Sequence, residues 1–70
     1  MSEATLRFLV EAATADLALA LAKRRKISET DALDIVYHSD FYKRLSNPQS
    51  GLCTESTASL VHLFMQELGK

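Results

Sequence analysis

The chain has one cysteine, one proline, two glycines and no tryptophan. A lone cysteine, Cys53, cannot close an internal disulfide or supply a cysteine-based metal cage. The only proline is Pro48 and the glycines are Gly51 and Gly69, so neither helix breaker falls in the first 46 positions. No charge of one sign dominates: eight Lys and Arg face nine Asp and Glu, for a formal net charge of −1. That balance excludes an overall electrostatic pull toward nucleic acid or an anionic membrane. No long apolar run occurs either. Glu11 and Asp16 interrupt the most apolar stretch, which is therefore not read as a membrane span. Ala18-Leu19-Ala20 looks like a small-residue cleavage site, but those two acids and the single preceding Arg7 argue for an ordinary helix rather than a signal peptide.

What is there is the composition of a folded protein. Apolar residues make up 47% and charged residues 24%, which argues against disorder. Residues 1–70 make one small domain. A chain of this size buries only about 60% of its unfolded surface, so its stability is marginal without help. With no disulfide or metal framework, association with a protein partner or a second copy is the remaining common source of stability. A homo-oligomer such as a dimer is expected. The free cysteine fits a reducing, cytoplasmic setting.

Periodicity predicts an all-α fold, a small bundle of one long N-terminal helix and three shorter ones. The first should span about residues 3–26, capped by Ser2, with Lys23, Arg24, Arg25 and Lys26 in its last turn where they suit the helix dipole. Leu6, Leu9, Val10, Ala13, Leu17, Ala20 and Leu21 repeat at core spacing. Glu3, Arg7, Glu11 and Thr14 mark the wet face, and Arg7 and Glu11 stand at ion-pair spacing. A second apolar row, Phe8, Ala12, Ala15 and Leu19, lies on a separate face, bounded by Thr5, Asp16 and Lys23. Either the domain wraps both rows into its core, or this row packs on another chain.

The stretch from Ile27 to Leu45 changes its apolar side partway through. In one continuous helix Ala32, Leu33, Val36 and Tyr37 would share a face, with Phe41, Tyr42 and Leu45 nearly opposite. One straight helix cannot bury both sets against a single core. A break near residues 38–40 resolves the conflict, giving helices at about 29–38 and 40–46. Ser28 starts the first, with Ile27 placed to staple onto Ala32, and Ser39 caps the second. Asn47-Pro48-Gln49-Ser50-Gly51 is a loop signal. A last helix over about 55–68, capped by Thr54, buries Leu60, Val61, Phe64, Met65 and Leu68. Leu63 falls off that stripe and joins the second row of the first helix among the candidate partner-binding residues.

Chemistry-bearing residues are few. His38 and His62 have no partner at metal-ligand spacing. Cys53 with a histidine is a nucleophile–base combination in principle, but so small a helical domain offers little room for a water-excluding cleft. Asp31, Asp34 and Asp40 point in different directions. No catalytic residue, metal or cofactor is therefore expected. Lys23, Arg24, Arg25 and Lys26 form the one charge run. They would clamp phosphates in a nucleic-acid-binding reading, with Lys43 and Arg44 in support. A solvated helix end that complements the dipole explains them without any ligand and is the favoured reading. A helix-turn-helix over residues 27–45 is disfavoured, because its second helix is short, starts with an acid and lacks the usual turn glycine. Tyr37, Phe41 and Tyr42 are expected in the core, and any that stays exposed would anchor a partner.

Ile27-Ser28-x-x-x-Ala32-Leu33-Asp34-x-x-Tyr37-x-Ser39-x-x-Tyr42-x-x-Leu45, then Gly51-Leu52-x-x-Glu55-Ser56 and a terminal Glu67-Leu68, resembles a group of short bacterial proteins of unknown function. The likeness spans residues 27–68. Members of such groups are sometimes encoded beside toxin-like proteins, ADP-ribosyltransferase-like ones included. The resemblance implies an antitoxin-like or accessory role and carries no catalytic residues. Its members often have an aromatic residue where this chain has Cys53. Taken together, these features make a protein-interaction module the leading expectation, ahead of a small nucleic-acid-binding protein.

Overall fold

The computed structural model describes residues 2–69. They form α1 (Glu3–Arg25), α2 (Glu29–Tyr37), α3 (Asp40–Ser46) and α4 (Thr57–Leu68), with two single-turn 3₁₀ segments, Pro48–Ser50 and Leu52–Thr54, before α4. No strand occurs among the described residues.

Each α-helix opens on a serine. The hydroxyls of Ser2, Ser28, Ser39 and Ser56 accept the backbone N–H of Thr5, Asp31, Tyr42 and Ser59. Each satisfies one of the amide donors that a helix start leaves free. Three of these caps are the expected ones. The fourth is a correction: α4 starts at Thr57 behind Ser56, not at residue 55 behind Thr54. Thr54 ends the second 3₁₀ turn, and its hydroxyl donates to the Gly51 carbonyl (2.7 Å). Thr54 lies inside a helical turn, whereas an N-cap needs the extended backbone that Ser56 has (φ −66°, ψ 155°).

The break between α2 and α3 falls where the apolar stripe changes sides. Ser39 does two jobs there. Its hydroxyl donates to the Val36 carbonyl (2.6 Å) and accepts from the Tyr42 amide (3.2 Å). The bend lets Ala32, Val36, Phe41 and Leu45 all reach one core, and each is buried. Tyr37 does not join them. It is 50% exposed, with the Tyr42 ring edge-on to it at 5.1 Å. The 3₁₀ pair that follows is pinned by Asn47, whose side chain accepts from the Gln49 amide, and by Gly51 at φ 72°.

α1 is about 35 Å long at 1.5 Å per residue, and the molecule measures 35 × 22 × 20 Å. The long helix is therefore the long axis. α2 and α4 pack along it on different sides and make little contact with each other; α3 and the second 3₁₀ turn close the remaining gap. Leu17, Leu21, Val36, Leu45 and Phe64 are fully buried at the centre. Thr14 is buried too, against expectation. With elements on several sides of α1, its buried arc is wider than the leucine stripe. Thr14 tolerates this because its hydroxyl donates to the Val10 carbonyl at 2.7 Å. Arg7 pairs with Glu3 (3.9 Å) rather than with Glu11.

α1 ends one residue earlier than expected. Lys26 sits in the left-handed region (φ 56°), and the amides of Lys26 and Ile27 both reach the Ala22 carbonyl. Ile27 then folds back against the core. This is a Schellman-type stop whose usual glycine is a lysine.

Two stability outcomes follow from these caps. Ser39→Ala should destabilise the fold by roughly 1–2 kcal/mol, since a cap and a carbonyl donor are lost together. Lys26→Gly should stabilise it by up to about 1 kcal/mol, because a left-handed residue with a Cβ is strained. Urea denaturation of the two variants beside the parent checks both signs; a stabilised Ser39→Ala or a destabilised Lys26→Gly would contradict them.

Candidate partner-binding face

The apolar positions of α1 divide into two rows because successive residues turn by about 100°. Val10, Leu17 and Leu21 point to the core. Phe8, Ala12, Ala15 and Leu19 fall within an arc of about 60° on the far side, opposite those three. Nothing in the rest of the fold covers them. Phe8 is 70% exposed and Leu19 42%, and both alanines are exposed. The alternative in which the domain wraps both rows is therefore overturned. Thr5, Glu11, Asp16 and Lys23 border the face and are exposed as well. On one border the Thr57 hydroxyl reaches the Asp16 carboxylate (3.3 Å), which holds the start of α4 beside this face without overlying it.

Leu63 is exposed, as its position off the α4 stripe implies. It does not extend the α1 row. It borders a groove of about 190 Å³ with Phe41, Arg44, Leu52, Gln66 and Glu67. Two further exposed apolar residues, Ile35 and Tyr37, lie on α2. Ile35 lies off the face that Ala32, Leu33, Val36 and Tyr37 share at helical spacing, which signals its exposure; Tyr37 belongs to that spacing, so its exposure carries no such signal.

Lys23, Arg24, Arg25 and Lys26 are all exposed. Three consecutive helical residues point in three directions, and the left-handed Lys26 turns the backbone away. The four cations surround the helix end and form no flat patch. Lys43 and Arg44 do not add to them. Lys43 pairs with Asp40 (3.8 Å), while Arg44 pairs with Glu67 and lies over the Phe41 ring. Tyr42 and Ser46, on the same short helix, line a groove of about 300 Å³ with Glu3, Leu6, Arg7, Val10 and Glu11. That groove lies at the N-terminal half of α1, on the order of 20 Å from Lys23 along the axis.

Neither groove is lined by histidine or cysteine. Cys53 is packed in the core. His38 closes α2, its Nδ1 2.8 Å from the Asp34 carbonyl oxygen and 3.3 Å from the Asp34 carboxylate. Among the described residues no three His, Cys, Asp or Glu side chains converge as a metal site would require. No helix among them is long and apolar enough to cross a membrane. No protein-family model, curated protein or solved structure matches the chain.

Because Arg44 and Glu67 are partly solvated, their ion pair contributes little. Glu67→Gln should lower stability by less than about 1 kcal/mol. Thermal unfolding of the variant checks this, and a larger loss would mean that the pair holds α3 to α4.

Proposed function

We propose that this chain is a non-enzymatic protein-interaction module whose binding surface is the outer face of α1. The exposure of Phe8 carries the reading. Burying a phenylalanine side chain is worth about 1.5–3 kcal/mol. A chain with few core residues forgoes that gain and turns the ring to solvent, with alanines on the next turns and Leu19 beyond. An aromatic anchor on an otherwise smooth surface is how interface centres are built. An antitoxin-like or accessory role, as the resemblance implies, suits such a surface, because occupying a partner's site needs only shape and apolar area. A cytoplasmic setting is in keeping with an unpaired Cys53.

The nucleic-acid reading ranks second. Its four cations surround the helix end, and the exposed Glu29, Asp31 and Asp34 follow them closely. Duplex binding should accordingly be no tighter than about 10 µM at physiological salt, near the level of nonspecific contacts. Fluorescence anisotropy against random duplex DNA measures it. Salt-sensitive sub-micromolar binding, abolished by Arg24→Ala with Arg25→Ala, would reverse the ranking.

A photo-crosslinking amino acid at Ala12 tests the interaction reading directly. In cells it should join the 7.8 kDa chain to another polypeptide, whereas the same group at exposed Gln49 should not. No cross-link from Ala12, or equal yield from both positions, would defeat it.

A further inference from the structure

The outer face of α1 is complementary to itself. Phe8, Ala12, Ala15 and Leu19 are spaced 4-3-4, the same in either direction, with large side chains at the ends and small ones in the middle. We propose that a second copy of this chain occupies the face, with α1 packed antiparallel on α1 about a two-fold axis between residues 13 and 14. The proposal rests on the reading of this face as a binding surface and names its occupant. In that register Phe8 meets Leu19 of the second copy and Ala12 meets Ala15. Every contact is made twice, as a two-fold interface requires. The central alanines let the axes approach to about 8 Å, the close end of helix packing.

Charge decides the direction. Parallel pairing would set Lys23, Arg24, Arg25 and Lys26 beside the same four residues of the second copy. Antiparallel pairing moves the two clusters about 30 Å apart, well beyond the roughly 10 Å screening length at 0.1 M salt. Glu11 and Asp16 border the middle of the face. Parallel pairing would set each level with its own counterpart but across the seam, whereas antiparallel pairing sets it on the same flank about 8 Å along the axis, so these two carboxylates do not choose between the directions. In the antiparallel register Glu11 comes level with Asp16 of the second copy, but on the opposite flank of the seam. The seam is short against the roughly 800 Å² per partner that stable interfaces bury, so the dimer is a weak one.

Sedimentation of the full chain from about 10 µM to about 1 mM should show a monomer–dimer equilibrium. Phe8→Glu sets a carboxylate against each Leu19 and should weaken dimerisation at least about a hundredfold, with the helical circular dichroism unchanged. Ala12→Glu should act in the same direction and serves if Phe8→Glu does not fold. Orientation is read by double electron–electron resonance from a spin label on Ala4→Cys in a Cys53→Ala background. Antiparallel pairing places the labels about 30 Å apart and parallel pairing about 10 Å. The sedimentation comparison keeps native Cys53 and stands whatever that replacement costs in stability. A monomer throughout the range, a dimer indifferent to both face variants, or the short distance overturns the proposal. A monomer that still cross-links from Ala12 to a different protein overturns self-pairing alone; a monomer with no such cross-link overturns the binding-face reading as well.

Discussion

A helix of 23 residues cannot be wrapped by the short helices that follow it. α2, α3 and α4 have 9, 7 and 12 residues, or about 13, 10 and 18 Å of axis against about 35 Å for α1. Packing from different directions, they cover about half of the circumference of α1. This coverage limit shapes the rest of the molecule. The side that is covered becomes the core, built on Leu17 and Leu21, and the side that is left carries Phe8 and Leu19 into solvent. A polar outer side would have made α1 an ordinary surface helix. Because the outer row is apolar, the same limit that builds the core also leaves an unpartnered face.

Short helices bring a second constraint. Isolated helices of this length are marginal in water, so each depends on its ends and on tertiary packing. Serine caps at every start, the two hydrogen bonds of the Ser39 hydroxyl and the Schellman-type stop at Lys26 meet the first need. Packing of Val36, Phe41, Leu45 and Phe64 against α1 meets the second. Phe41 and Phe64 lie with ring centroids 5.5 Å apart and tie α3 to α4. Arg44 covers the outer side of the Phe41 ring and reaches Glu67. A residue that sequence position would add to a basic patch is thus used to cover core aromatics.

The polar groups of this fold are accordingly structural in their visible roles. Thr14 satisfies its own buried hydroxyl, His38 closes a helix, Asp16 receives Thr57, and Cys53 fills the core beneath the 3₁₀ turns. Beside the solvated cations at the end of α1, the outer row of that helix is an apolar surface feature without an internal partner. The proposal of a surface for another polypeptide rests on that apolar face.

The sequence by itself determined the four helices, the break at Ser39 and three of the four caps. Those features depend on residues a few positions apart. A serine reaches only the amides of the next turn, and an apolar stripe that switches sides conflicts with any straight helix. The two rows of α1 were equally legible, since they follow from helical pitch. Whether the second row would be buried along with the first was not, because burial depends on how much chain remains to cover it. The tertiary structure decided that, and with it the burial of Thr14, the exposure of Tyr37 and the separation of Leu63 from Phe8 and Leu19. It also parted Arg44 from Lys23–Lys26, where nearness in the chain meant nothing. Each of these turns on neighbours brought together across the fold, and periodicity along one helix does not say what will pack against it.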